Sequence, residues 1–323
     1  MILRPVSAEL IRECISFAFP NLKIATAQLL SGGLLNTNIK IDFRTDAQPV
    51  VLRLHRGDAA VCLKESAVLR LVRSTVPVPE VIFVEPNGID GCGPFSILEF
   101  VKGQSFQWLK RTNDLEAIHQ AAASVGQTLA SIGKHQFQKS GRLQVEGENE
   151  LTVGEAYIKG PDPIPRLLDQ FLESACLQRR LDGPLQQKLH DFIWSWAAQL
   201  RTLDHQCHLV HGDFGNRNIL VDRVSGRWQV VAVLDWEFAL SESPLLDVGH
   251  FLRYEKRDTP LREPYFSRAF VEYGGSLPDN WRRISQVVDL TALVECMTHE
   301  QLPDEVAVEI LELIKSTVAS CEV

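Results

Sequence analysis

Two short polar motifs, one on each side of a predicted strand pair, constrain this chain more than any other feature. The first is HGDFGNRNIL (residues 211–220), and the second is LDWE (residues 234–237), which follows the apolar run WQVVAV. Asp and Asn are common in turns because their side chains bond to nearby backbone, so each residue alone favours a structural role. The combined spacing is much harder to obtain by chance. Two adjacent antiparallel strands would place Asn218, which precedes the first strand, beside Asp235, which follows the second.

This arrangement suits the handling of a metal ion and phosphate. Carboxylate and amide oxygens are the ligands that Mg²⁺ prefers, and protein-bound Mg²⁺ often shares its ligand shell with substrate phosphates. Asp213 is predicted on the turn above the strand pair, where it would orient a hydroxyl group and accept its proton during phosphoryl transfer. His211 and Asn216 are interpreted as supports of the loop.

The two motifs together resemble the catalytic loop and metal-binding segment of the aminoglycoside phosphotransferase-like kinases. These include choline, homoserine and methylthioribose kinases, and they share a fold with eukaryotic protein kinases. The resemblance covers about residues 29–251. It implies that Asp213 is the catalytic aspartate, that Asn218 and Asp235 are Mg²⁺ ligands, and that ATP and Mg²⁺ are the cofactors.

Other residues near the motifs have less specific roles. Gly212 and Trp236 differ from the H-R-D and D-F-G motifs of protein kinases but fit the small-molecule branch. Glu237 either contacts Mg²⁺ through water or approaches the acceptor. Asp247, at the start of a predicted helix, is either a simple N-cap or an acceptor of hydrogen bonds from the catalytic-loop backbone, the role that the resemblance implies.

The secondary-structure pattern changes character near residue 103. Between residues 23 and 100, five short runs rich in branched residues predict strands, and AAVCLKESAVLRLVRS, with a period near 3.6, predicts one helix between the third and fourth. Beyond residue 103, long periodic runs predict helices at 114–137, 184–203, 278–301 and 304–320.

These patterns predict an α+β class with a two-lobed, protein-kinase-like fold. Residues 1–101 are expected to form a β-rich nucleotide-binding lobe, and residues 102–323 a mainly helical lobe with the catalytic loop and the acceptor site. The Gly- and Glu-rich connection at 140–165 is long for a loop without regular structure, so it is expected to be functional or mobile.

The resemblance also implies the nucleotide-binding residues of the first lobe. In the family, a Ser-Gly-Gly…Asn loop covers the nucleotide, and this pattern maps onto Ser31, Gly32, Gly33 and Asn36. An exposed backbone turn there would suit phosphates, although two glycines also occur in ordinary hairpins.

A strand cation and the hinge complete the predicted nucleotide site. Arg53 takes the position of the phosphate-pairing lysine of protein kinases, where a guanidinium offers a bidentate grip. The family pairs this cation with a helix carboxylate, here Glu65. If Arg53 and Glu65 did not form this pair, both would be solvated charges on the surface. In the hinge FSILEFVKG, the carbonyl of Glu99 and the N–H of Val101 are expected to bind adenine.

Charge and composition limit the partners. The formal net charge is −8, and residues 1–101 carry equal numbers of acidic and basic side chains, so the whole surplus lies in 102–323. Nucleic acid is excluded as a partner because phosphate backbones need concentrated positive charge. The acidic second part fits a cationic, amine-bearing acceptor, and it is equally compatible with a neutral hydroxyl compound.

The expected location is the cytoplasm. No apolar run approaches the ~20 residues that cross a bilayer, so no membrane association is expected. The seven cysteines are scattered without CxxC spacing, which points to reduced thiols.

The predicted function is transfer of the γ-phosphoryl group of Mg-ATP to a hydroxyl of a small molecule, such as an aminoglycoside-, choline- or homoserine-like acceptor. The alternative is a catalytically inactive kinase-like protein that binds a nucleotide or a partner. The presence of Asp213, Asn218 and Asp235 counts against that alternative. A protein kinase is disfavoured because eleven residues between Asp235 and Asp247 are too few for a long activation segment.

Overall fold

The computed structural model describes residues 6–30, 36–147, 150–155, 158, 160–256 and 258–319. The strands in this part of the chain are β1 (Ile24–Leu29), β2 (Thr37–Phe43), β3 (Val50–Leu54), β4 (Val81–Glu85), β5 (Phe95–Glu99), β6 (Gln104–Ser105), β7 (Gly141–Glu146), β8 (Glu150–Val153), β9 (His208–Val210), β10 (Ile219–Val224), β11 (Arg227–Val233) and β12 (Leu240–Glu242).

Most of the remaining regular structure is helical. The α-helices are α1 (Ala8–Ser16), α2 (Ala59–Val72), α3 (Phe106–Arg111), α4 (Leu115–Ile132), α5 (Pro163–Leu172), α6 (Ala175–Arg180), α7 (Gly183–Ser195), α8 (Ala197–Leu200), α9 (Leu245–Leu252), α10 (Glu263–Glu272), α11 (Trp281–Thr298) and α12 (Asp304–Ala319). Short 3₁₀ turns lie at Arg201–Leu203 and Trp236–Phe238. Within the described residues, no helix is both long and apolar enough to cross a membrane.

The first five strands form one antiparallel sheet in the order β1-β2-β3-β5-β4. Side chains alternate across its faces, so buried residues such as Ile41, Leu52 and Ile97 line the side that packs against Cys14 and Ile15 of α1. Helix α2 follows β3 and contacts β4 and β5. The predicted order of three strands, one helix and two strands is confirmed.

Helices dominate the part beyond β6, as predicted. Helix α4 packs against α10 and β11. Its Gly126 permits a very close approach, because a Cβ atom there would lie 2.2 Å from the carbonyl oxygen of Phe266. This sheet part and helical part together confirm the predicted α+β class.

The 140–165 connection contains regular structure that the sequence analysis did not predict. Strands β7 and β8 form an antiparallel hairpin, and β7 also pairs with β12, which in turn pairs with β9. The sheet order is therefore β8-β7-β12-β9. In β7 the inward Leu143 alternates with polar Arg142 and Gln144. This short period-two pattern was hidden by the polar composition around it.

Strands β10 and β11 form the predicted strand pair. Ser225 and Gly226 join them with φ angles of 52° and 84°, and two positive φ values are typical of a tight hairpin turn. Ile219 lies opposite Val233 in the ladder. The residues just before β10 and just after β11 are thus brought to the same end of the hairpin.

Candidate active site

The loop between β9 and β10, residues 211–218, is closed by side chain to backbone hydrogen bonds. The Nδ2 group of Asn218 donates to Asp213 Oδ2 and to the Asp213 carbonyl oxygen, each at 2.9 Å. The N–H of Asp213 donates to Nδ1 of His211 at 3.2 Å. The Asp213 carboxylate therefore has a defined orientation.

His211 has a structural role in this loop. It is fully buried, and burial lowers its pKa to about 4. Its Nδ1 accepts from Asp213, so Nε2 carries the proton and donates to the carbonyl oxygen of Leu234 at 2.9 Å. A neutral imidazole with both nitrogens occupied is not available as a general base.

The carboxylate of Asp247 binds the backbone at the start of the loop. Its carboxylate accepts from the N–H of His211 at 2.6 Å and from the N–H of Gly212 at 3.0 Å. Helix α9 begins at Leu245 with Pro244 as its N-cap residue, so the alternative that Asp247 is a simple N-cap was wrong. Burial raises the pKa of Asp247 to about 7, although the two backbone N–H groups oppose the shift.

The 235–237 segment follows β11 directly. The N–H of Leu234 donates to the carbonyl oxygen of Asn218 at 2.8 Å, which places Asp235 next to Asn218. Asp235 has φ 70° and ψ 63°, a left-handed conformation that is uncommon for a residue other than glycine and frequent at functional sites.

This pair fits a Mg²⁺ ion that is shared with phosphates. Both N–H bonds of the Asn218 amide are directed at Asp213, so its Oδ1 faces away from that residue. Within the described residues, no cluster of three or more His, Cys, Asp or Glu is placed to hold a metal. One carboxylate and one amide oxygen match Mg²⁺, which usually completes its octahedron with water and substrate phosphate oxygens.

Side chains from the five-stranded sheet and α2 contact the 235–237 segment. Arg53 donates to Glu65 at 2.9 Å and also to Asp235. Glu65, which is almost fully buried, accepts the N–H of Trp236 at 3.0 Å. Although burial opposes it, the carboxylates of Glu65 and Asp235 raise the pKa of Arg53 above its usual value. The structure thus brings Arg53 and Glu65 together, as the resemblance implied.

Asn36 makes a further contact with this segment. Its Nδ2 donates to Glu237 Oε2 at 3.1 Å, and its Oδ1 accepts the N–H of Arg56 at 3.0 Å. The sequence predicts a metal or acceptor contact for Glu237 and gives no indication of this bond with Asn36. No sequence spacing relates two residues that are 201 positions apart.

The carboxylates of the site influence one another. Burial raises the pKa of Asp213 to about 6, and the nearby Asp235 acts in the same direction. Burial and Asp235 also raise the pKa of Glu237 to about 7. Crowded carboxylates in a poorly solvated site favour a bound cation, because each ionised group disfavours ionisation of the next.

The remaining predicted residues lie farther along the first sheet. Glu99 ends β5, where its N–H donates to the carbonyl oxygen of Glu80 and its side chain accepts from Arg73 at 3.1 Å. Val101 follows two residues later. Ser31, Gly32 and Gly33 lie outside the described residues.

Comparison with protein families identifies the chain. A model of the phosphotransferase enzyme family (APH) matches residues 26–286, so the chain belongs to this family.

Among solved structures it is similar to aminoglycoside phosphotransferase APH(4)-Ia in a ternary complex with AMP-PNP and hygromycin B. The TM-score is 0.69 at 21% identity, over 98% of this chain and 99% of the other. A GDP and kanamycin complex of APH(2")-IIIa gives 0.70 at 16% identity, over 96% and 99%. The two-lobed, protein-kinase-like fold is therefore confirmed.

One curated relative is named for a different class of enzyme. The chain is 29% identical over 178 residues to the human protein "Acyl-CoA dehydrogenase family member 11". The match spans 54% of this chain but 20% of that protein. The shared part is therefore a minor portion of the relative.

Proposed function

We propose that the protein transfers the γ-phosphoryl group of Mg-ATP to a hydroxyl group of a small molecule, with Asp213 as the catalytic residue. One observation carries this proposal: the Asp213 carboxylate is held 2.9 Å from the Asn218 amide, and Asn218 lies beside Asp235. Membership of a phosphotransferase family supports it.

Each group has a separate task in the proposed reaction. Asn218 and Asp235 would hold Mg²⁺, which neutralises charge on the phosphates. Asp213 orients the acceptor hydroxyl and takes up its proton as transfer proceeds. Arg53 supplies positive charge for the phosphates. Catalysis of this kind depends mainly on positioning and charge stabilisation.

The proposed nucleotide site extends over the first lobe, residues 1–101. Ser31, Gly32, Gly33 and Asn36 are assigned to cover the phosphates. The carbonyl of Glu99 and the N–H of Val101 are assigned to adenine.

The acceptor site is assigned to the second lobe, residues 102–323. Its acidic surplus is compatible with an amine-bearing hydroxyl compound, and two similar structures contain the aminoglycosides hygromycin B and kanamycin. The curated relative is named for acyl-CoA compounds, so acyl-CoA compounds that bear a free hydroxyl group are a second class to test. The scattered cysteines support a cytoplasmic location.

The test is an acceptor screen. Purified protein with Mg²⁺ and either ATP or GTP is incubated with aminoglycosides, choline, homoserine and hydroxyacyl-CoA compounds. Nucleoside diphosphate release is followed, and the phosphorylated product is identified by mass spectrometry. We expect release that depends on one acceptor class and is lost in Asp213→Asn. Tight binding of Mg-ATP with no transfer to any hydroxyl compound would instead favour the inactive, nucleotide-binding alternative.

A further inference from the structure

Arg262 is a fully buried arginine beneath the 211–218 loop. It directly precedes helix α10, and its side chain has no solvent exposure. Its Nη1 donates to Asn216 Oδ1 at 3.0 Å and to the carbonyl oxygen of Phe251 at 2.6 Å. Asn216 lies between Asp213 and Asn218 in the loop, so one buried cation joins the loop to the end of helix α9.

Glu255 neutralises this cation. Arg262 Nε donates to Glu255 Oε2 at 2.6 Å, and Glu255 Oε1 accepts the N–H groups of Leu261 and Arg262. Although burial alone would raise it, these partners lower the pKa of Glu255. The guanidinium is thus oriented by a carboxylate that is itself fixed by backbone.

Stability alone does not account for this arrangement. Buried ion pairs contribute little compared with apolar residues of similar volume, because both charges lose their hydration. Within the described residues, Nη2 of Arg262 has no hydrogen-bond partner, which adds to the cost of burial. A costly buried cation that contacts the middle of a functional loop suggests that its position matters.

A second contact reaches the loop through aromatic rings. The Arg262 guanidinium carbon lies 5.0 Å from the centre of the Phe251 ring, a distance at which a cation and a ring attract. The Phe251 ring centre lies 6.3 Å from that of Phe214, the residue after Asp213. Arg262 therefore contacts the loop directly at Asn216 and indirectly at Phe214, through the ring of Phe251.

We propose that Arg262 is a positioning residue for phosphoryl transfer, which acts through Asn216 to hold Asp213 and Asn218 in their relative places. This inference rests on the proposed function for its kinetic consequence. The hydrogen bond between Arg262 and Asn216, here called the tether, is a property of the protein without substrate. The two parts can therefore be tested separately.

The kinetic test compares five variants in the transfer assay, of which one is a control and one is a double variant. Asn216→Ala removes the loop acceptor and leaves the Arg262–Glu255 pair intact, and Arg262→Lys keeps the charge but loses the forked geometry. Both are expected to lower kcat roughly 10- to 100-fold with little change in KM for Mg-ATP, since small misplacement of a reacting group has effects of this size. Asn216→Asp keeps an acceptor oxygen and is expected to recover most of the turnover.

Arg282→Ala is the matched control. Arg282 donates to Glu263, the residue after Arg262, at 2.6 Å, and its side chain is 63% exposed. Its removal should leave kcat unchanged. The double variant Asn216→Ala/Arg262→Lys should be no slower than the slower single variant, because the Asn216 side chain acts only through its contact with Arg262.

Amide hydrogen exchange tests the tether without any substrate. In Asn216→Ala and Arg262→Lys, the amides of residues 211–218 should exchange faster, while those of α4 keep the wild-type rate. Unchanged loop exchange together with wild-type kcat in Asn216→Ala would overturn the inference. Faster loop exchange in a protein that transfers no phosphate would uphold the tether and contradict the proposed function.

Discussion

The 211–218 loop and the 235–237 segment lie side by side, but different parts of the molecule hold them. The loop is bound by groups that follow it in the helical part, chiefly Asp247 and Arg262. The segment is bound by side chains from the first sheet and its helix, chiefly Arg53 and Glu65.

The two halves of the site are therefore held by different parts of the chain. Asp213 is oriented by contacts within the helical part of the molecule. The position of Asp235 depends on contacts across the lobes, because Arg53 reaches it from β3. The loop is thus supported within the helical part, whereas the segment is also supported from the first sheet and α2.

The largest expected effect concerns the loop. Asp213→Asn keeps the hydrogen-bonding shape but cannot accept the hydroxyl proton, so kcat should fall by about 10²- to 10⁴-fold, the usual contribution of general base catalysis. Mg-ADP affinity, measured by calorimetric titration, should stay near the wild-type value. A near-normal turnover would show that Asp213 is not the base.

Glu65→Gln tests the support of the segment. The change removes one of the two carboxylates that pair with buried Arg53, and breaking a buried pair typically costs about 3–5 kcal/mol of stability. We expect a loss of this order in chemical denaturation, with weaker Mg-ADP binding. Glu80→Gln, at an exposed position of the same lobe, is the control. If Glu65→Gln matched that control, the segment would not depend on the first lobe.

Asp247, which binds the loop backbone, makes the stability of the folded protein depend on pH. Its pKa is about 7 in the folded protein and near 3.8 when free, so the unfolded chain releases the proton first. The contribution of Asp247 to stability therefore falls as pH rises from about 4 to 7, by a few kcal/mol at most. Denaturation between pH 5 and 8 should show a shallower decline in Asp247→Asn than in the wild type. The control variant Asp46→Asn, at an exposed position, should retain the wild-type slope of stability against pH.

Asp235→Asn is expected to have the smallest effect in free energy. Loss of one charged ligand should weaken Mg-ADP binding by at least about tenfold, since even changes outside the ligand shell often cost that much. Binding of ADP without Mg²⁺ should change much less. Calorimetric titration with and without EDTA separates the two. Equal loss in both conditions would argue against Asp235 as a metal ligand.

Local patterns made part of this architecture predictable. The succession of strands and helix along residues 23–100 follows from short branched runs, and the meeting of Asn218 with Asp235 follows from one hairpin. Asp247 and Arg262 lie 36 and 46 residues from their loop partners. Such contacts depend on how α9 and α10 pack, which periodicity does not specify. The β7–β8 hairpin was missed because its alternation is short and mostly polar.

The most direct test of the account is phosphoryl transfer at increasing Mg²⁺ concentration in the wild type, Asp213→Asn and Asp235→Asn. If Asp235 binds the metal and Asp213 accepts the proton, high Mg²⁺ should restore part of the rate of Asp235→Asn and none of the rate of Asp213→Asn. Recovery of Asp213→Asn by Mg²⁺, or wild-type Mg²⁺ dependence in Asp235→Asn, would contradict the assigned division of roles.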